Sequence, residues 1–134
     1  MQDSIANEDR NLGIELCEQG RFPEAIEPLR RVLVRDPRDS HCMRLLAHAL
    51  FDSGRVREAI ARFRQLVALN ANDPQRHNDL GFALTRLGET KQAASAFERA
   101  IALDPRFALA HNDLGNLQLQ RGRAADAEKH YRKA

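Results

Sequence analysis

One spacing constrains this chain more than any motif: chemically similar residues return every 34 positions, as Gly20, Gly54, Gly88 and Gly122 do. Ala25, Ala59, Ala93 and Ala127 keep the same interval, and so do Leu12, Leu46, Leu80 and Leu114. No insertion breaks the phase, so four copies line up as residues 6–39, 40–73, 74–107 and 108–134, the last incomplete. A fixed period of this size specifies one supersecondary unit stacked side by side, a solenoid whose core is a ribbon between layers. Such an array offers a surface for binding more readily than a reaction centre.

Each copy holds two apolar patterns of helical period separated by a glycine. In the third copy Leu80, Gly81 and Leu84 precede Gly88, while Ala93, Phe97, Ala100 and Ile101 follow it. This predicts a helix-turn-helix hairpin. Small residues at Gly13, Ala47, Gly81 and Gly115 let two helix backbones approach, because a larger side chain would wedge them apart. Leu29, Phe63, Phe97 and Tyr131 recur in one phase as the bulky residues that fill the space. Asp36-Pro37 and Asp104-Pro105 predict the ends of second helices, since the residue before proline is pushed out of helical geometry. Pro28 lies inside a second helix, where it is expected to kink or loosen that helix and make the first repeat the least regular; Pro23 suits a first helical position.

The third copy's Leu80, Gly81, Gly88, Ala93, Phe97, Ala100 and Pro105 resemble the tetratricopeptide repeat pattern, and the resemblance covers residues 6–134. It departs locally: Ala71 replaces the closing proline, Leu29 the aromatic, and Gln118 a core leucine matched by Leu16, Leu50 and Leu84. The resemblance implies an all-α fold, a right-handed α-solenoid of about four helix-turn-helix repeats forming a single array over residues 1–134 with the last truncated. It also implies that the first helices line a concave inner groove.

Taking about 100° per residue, the face opposite Leu80, Gly81 and Leu84 carries Gln75, Asn78, Asp79, Phe82 and Arg86. The same phase gives Asn7, Arg10, Asn11, Ile14 and Glu18, then His41, Arg44, His48, Phe51 and Asp52, then Leu109, Asn112, Asp113, Asn116 and Gln120. Asn11, Asn78, Asn112 and Asn116 can donate and accept together, a property suited to a peptide backbone. Arg10, Arg44 and Arg86 are candidates to hold a partner carboxylate through paired hydrogen bonds. Phe82 is either an anchor that a partner covers or a residue half buried against the neighbouring repeat. Phe51 and Leu119, at the groove edge, are expected to pack between layers.

Among similar proteins, chaperone-tail binders clamp a C-terminal carboxylate with lysine, asparagine and arginine on successive first helices. The matching places hold Arg10 and Ile14, Leu45, then Gln75 and Asp79; one repeat later they hold Arg44 and His48, Asp79, then Leu109 and Asp113. Acidic groups at the clamp would repel the carboxylate, which disfavours such tails.

The formal net charge is +2, with 21 basic residues interleaved among 19 acidic ones, unlike the concentrated basic stripe of a nucleic-acid grip. Glu27 four residues before Arg31 and Glu58 four before Arg62 suggest exposed helix pairs on a solvated convex face. No apolar run approaches the roughly 20 residues that span a bilayer, and Met1 to Arg10 lacks a signal-peptide core. Neither nucleic acid nor membrane is therefore an expected partner. Cys17 and Cys42 fall roughly 13 Å apart along parallel helices, too far to bridge, so reduced thiols and a cytoplasmic setting are expected.

Catalytic chemistry has no support: no glycine cluster forms a phosphate-cradling loop, and no HExxH or paired CxxC occurs. His77 and His111 each stand in His-Asn-Asp-Leu-Gly, so repetition accounts for them, and His41 and His48 are two turns apart, too far to share an ion. No cofactor, metal or catalytic residue is assigned. Three readings stay open: a scaffold binding a peptide or partner helix in the groove, a substrate-recruiting arm of a larger glycosyltransferase- or sulfotransferase-type enzyme, and a module self-associating through an exposed terminal repeat. Leu80→Ala is expected to cost about 2 to 5 kcal/mol as a core truncation; a shifted denaturant midpoint is the measurement.

Overall fold

The computed structural model describes the backbone of residues 2–133 and the side chains of residues 7–125. Seven helices follow in order: α1 (Gln2–Glu18), α2 (Phe22–Arg35), α3 (Ser40–Asp52), α4 (Val56–Leu69), α5 (Pro74–Leu87), α6 (Thr90–Leu103) and α7 (Ala108–Lys133). No strand occurs among the described residues, and the fold is an all-α helical repeat. The chain divides into two compact units, residues 1–71 with α1 to α4 and residues 72–134 with α5 to α7.

In the first unit α1 packs on α2 and α3 on α4, while α1 and α2 both rest against α3. The hairpins close because a small residue, glycine in two of them and alanine in the third, stands where the helices meet. A Cβ on Gly13 would stand 2.6 Å from Leu29 Cδ2, well inside van der Waals contact, so only glycine lets Leu29 reach the α1 backbone. Ala47 and Phe63 hold the corresponding places in the second hairpin and are buried at 0% and 3% exposure. In the second unit the arrangement recurs between α5 and α6, where a Cβ on Gly81 would lie 2.6 Å from Phe97 Cε1.

The turn between each pair of helices is also the same object three times. Gly20, Gly54 and Gly88 have φ of 74°, 82° and 87°, a left-handed geometry that glycine adopts without Cβ strain. Around them Gly20 N donates to Cys17 O and Arg21 N to Leu16 O, Gly54 N to Phe51 O and Arg55 N to Leu50 O, Gly88 N to Thr85 O and Glu89 N to Leu84 O. These paired bonds satisfy the carbonyls that a helix end leaves orphaned.

Aspartates set the helix boundaries between copies. Asp39 caps α3 by accepting from Cys42 N, and Asp73 caps α5 by accepting from Gln75 N. Second helices stop at Asp36, Asn70 and Asp104, so α4 ends in the same phase although Ala71 is not proline. Helix α2 runs through Pro28 without interruption. Proline's φ is compatible with a helix, and the lost hydrogen bond to Glu24 is offset by burial of Ala25, Ile26, Leu29, Val32 and Leu33 on the same helix.

The charge pairs expected four residues apart are replaced by others. Arg30, not Arg31, meets Glu27, with Nη1 to Oε1 at 2.9 Å, and its Nη2 reaches Glu58 on α4 at 2.8 Å. Arg31 turns instead to Asp9 on α1, and Arg62 to Gln65. A helix pair of this kind contributes only about 0.2 to 0.5 kcal/mol, so Asp9 on a neighbouring helix displaces it for Arg31, while Arg62 takes Gln65 on its own helix.

The fourth copy is not a hairpin. Helix α7 continues through Gly122, which shows no positive φ, and residues 118–125 are all exposed. Leu119, expected between layers, is 58% exposed, and a Cβ on Gly115 would meet nothing within 4 Å. A left-handed break gives up helical hydrogen bonds and is offset only when a second helix packs back; residues 121–125 show no such packing, so the helix runs on. Ala127 and Tyr131 lie outside the described side chains. Cys17 and Cys42 are free thiols, the first half-buried and the second buried.

Gly81→Ala is expected to destabilise by about 1 to 3 kcal/mol through overpacking against Phe97. Gly115→Ala and Gly122→Ala should each stabilise by up to about 1 kcal/mol as ordinary helix positions. Denaturant titration of the three variants checks the assignment, and a destabilised Gly122→Ala would restore the turn.

Candidate peptide-binding surface

Side by side in the first unit, α1 and α3 leave a trough of about 370 Å³ between their outer faces. Ile14, Cys17 and Glu18 of α1 form one wall, His41, Arg44, Leu45 and His48 of α3 the other, and Phe22 at the start of α2 closes the side. Ile14 and His48 occupy the same position of successive copies, so helical phase alone brings them together. His48 is held edge-on to Phe63, with ring centroids 5.2 Å apart and planes at 77°. An apolar floor of Ile14, Leu45 and Phe22 thus lies under a rim carrying both signs of charge.

Arg10, named as a carboxylate-binding candidate, faces its own chain. Its Nε donates to Asp39 Oδ2 at 3.1 Å, while Asp39 Oδ1 accepts from Cys42 N at 3.0 Å. Burial works against the charged form of Asp39, but the Cys42 amide and Arg10 outweigh it, and its pKa sits below 3.8. Burial first, and Asp39 second, push the Cys42 thiol up to about 12, so it stays protonated and unreactive. Cys17 is raised too, by burial and by the nearby charge of Asp52.

In the second unit the expected face splits between exposed and engaged groups. Asn78, expected to meet a peptide backbone, is only 2% exposed and donates through Nδ2 to Asp113 Oδ2 at 3.2 Å, tying α5 to α7. That contact uses the polar group a ligand would need. Gln75 Nε2 donates to Asp79 Oδ1 at 2.7 Å, so these two residues hold each other. Phe82 keeps 53% of its surface exposed. Arg86, Asn112 and Asn116 are exposed as expected, and so is Asn11 on α1 of the first unit; Asp113 is half-buried.

The structure therefore gathers Ile14, Arg44 and His48 into one concavity and leaves Arg10 and Asn78 in structural bonds. It adds Cys17, Leu45 and Phe22 as lining residues. Cys17 is three residues beyond Ile14 and Leu45 four beyond His41, so helical spacing carried a signal for both. Phe22 begins a second helix, and no periodicity along the first helices points to it. Among the described residues no group of three or more His, Cys, Asp or Glu is placed to hold a metal ion, and no helix is long and apolar enough to cross a membrane.

Sequence comparison accords with this geometry: residues 16–80 match one tetratricopeptide repeat model and residues 78–134 match a second. The chain belongs to the tetratricopeptide repeat family. No curated protein matches it. Several solved structures share the fold. The crystal structure of MamA is 26% identical, with 96% of this chain and 75% of that chain covered and a TM-score of 0.81. The second tetratricopeptide repeat domain of human RPAP3, in complex with the HSP70 peptide SGPTIEEVD, is 22% identical over 88% of this chain and 98% of that one, with a TM-score of 0.79. The Yersinia enterocolitica type III secretion chaperone SycD, in complex with a peptide of the translocator YopD, is 17% identical over 86% and 93%, with a TM-score of 0.77. At such identities the last two establish the fold alone.

The Asp39 carboxylate links the α3 cap to Arg10, and its lowered pKa sets the sign of a pH effect. Stability from this group is complete above the unfolded carboxylate value and is lost as pH falls through the lower folded value. Asp39→Asn keeps a capping side chain but removes the charge. Its stability is expected to be below the parent's near neutral pH, and to vary less as pH drops below 3.8. Urea unfolding along a pH series measures the difference.

Proposed function

We propose that this tetratricopeptide repeat protein is a non-catalytic protein-interaction scaffold that binds a peptide or partner helix along its first helices. The trough between α1 and α3 carries the reading: it is concave, floored by Ile14, Leu45 and Phe22, and rimmed by Arg44 and Glu18. Clefts with an apolar floor and a few polar rim groups are the usual form of a recognition site. On the second unit, taken by itself, Phe82 on α5 and Asn112 and Asn116 on α7 are exposed and offer a surface of their own. Two free thiols, one of them buried, favour a reducing, cytoplasmic setting.

The proposed ligand differs from the acidic tails that some relatives of this fold bind. Asp79 is held in place by Gln75 and adds a negative charge to the first-helix face. Glu18 does the same at the trough. A carboxylate-rich segment would meet these groups without lysines to neutralise it or an asparagine to donate to it.

Selection of peptides from a random displayed library against the whole chain tests the proposal. Selected peptides are expected to lose affinity on Phe82→Ala or Leu45→Ser. Phe82→Ala should leave stability within about 0.5 kcal/mol, as a surface substitution does. A library that yields no peptide, or peptides indifferent to both substitutions, would remove the first helices as the binding face.

A further inference from the structure

The trough has a direction, and the direction specifies a ligand. Helices α1 and α3 run parallel in successive copies, so Glu18 is level with Asp52, and His41 lies eleven residues before Asp52 on α3. At 1.5 Å per residue the two ends of the trough are about 16 Å apart along the helix axes. His41 and Arg44 stand at one end, both exposed. Glu18 stands at the other, and Asp52 is close enough there to act on the Cys17 thiol. Ile14 and Leu45 occupy the middle.

Residues one and five of an extended chain stand about 13 Å apart at about 3.3 Å per step, close to the roughly 12 Å along the axis between the level of Arg44 and that of Glu18. Alternate side chains of an extended segment point the same way, so residues one, three and five of such a segment face the trough together. Asn11, exposed on α1, is level with Leu45 and brings an amide that can donate to and accept from a peptide backbone.

We infer that the α1–α3 trough binds a short extended peptide with an acidic residue at the His41 and Arg44 end, an aliphatic residue over Ile14 and Leu45, and a basic residue at the Glu18 end. This rests on the scaffold reading given above and narrows it to one subsite and one ligand chemistry. Opposite charges at the two ends fix the orientation of the segment, since reversing it would set like charges together. The central aliphatic side chain supplies the affinity by leaving water for the apolar floor.

The probe is the capped peptide Gly-Asp-Ala-Leu-Ala-Lys-Gly, titrated into the isotope-labelled full chain and followed by amide chemical shifts, which register weak binding. Shifts are expected at Ile14, Leu45 and His48. Replacing the central leucine of the peptide by serine should weaken binding about tenfold, as withdrawal of a buried anchor does. The exposed-site variants Glu18→Lys and Arg44→Glu should change the preference rather than the fold: Glu18→Lys favours a peptide with aspartate at both flanks, and Arg44→Glu one with lysine at both. The probe should also slow alkylation of Cys17, while buried Cys42 stays unmodified in either case.

Equal binding of the serine peptide, unchanged preference in both charge variants, or no shift with any peptide of the set would overturn the inference. Library-selected peptides that depend on Phe82 and shift Asn112 but leave Ile14 untouched would overturn it too, while the scaffold reading survived. Failure of the library to yield any binder would remove both.

Discussion

A side chain that is absent determines the rest of this structure. Leu29 rests on the α1 backbone because Gly13 has no Cβ, and Phe97 rests on α5 because Gly81 has none. Close approach gives dense contact along each hairpin, and a bulky residue in a tight site forfeits little of its dispersion energy. It also decides orientation. With the small-residue face, Gly13, Ala47 or Gly81, turned inward, the other side of each first helix turns outward, and that is where Ile14, Arg44 and Phe82 are found. The binding surface is therefore the remainder of a packing solution.

Much of this was legible in the letters because it depends on local, periodic chemistry. Hairpin boundaries follow from Gly20, Gly54 and Gly88 and from the aspartates that precede the first helices; each acts within a few residues of itself. The pairing of a small residue, Gly13, Ala47, Gly81 or Gly115, with a bulky one lies sixteen positions apart in every copy, a separation fixed in the first three by two helices and a turn. What stayed hidden was competition. Arg31 had a partner four residues away in Glu27, but Asp9 from another helix took it. Arg10 and Asn78 lie in the correct phase for the outer face, yet Asp39 and Asp113 engage them. Helical phase gives a residue's direction and says nothing of which polar group on a neighbouring helix is waiting there.

The fourth copy makes the same point for conformation. Its letters repeat those of a hairpin, with Gly115 and Gly122 in their proper places, but α7 is continuous. A glycine permits a turn without requiring one. At Gly20, Gly54 and Gly88 the reversal is accompanied by buried alanines and a bulky residue on the returning helix, such as Ala25 with Leu29 and Ala93 with Phe97. Around Gly122 the described side chains are exposed, and the straight helix keeps its hydrogen bonds. Repeat identity therefore specified the unit, while packing decided whether it closed.

The ion pairs of the first unit have a further consequence. Arg30 joins Glu27 to Glu58 on the outer helices, with its carboxylate partners 66% and 48% exposed, whereas Asp39, which receives Arg10 on the inner side, is 13% exposed. Dissolved ions screen the first set within about 8 to 10 Å and affect the sheltered one less. Raising ionic strength therefore weakens the tie that Arg30 makes between α2 and α4 more than the Arg10–Asp39 pair that holds α1 to the cap of α3, so the two joints between these hairpins differ in their sensitivity to the surrounding electrolyte.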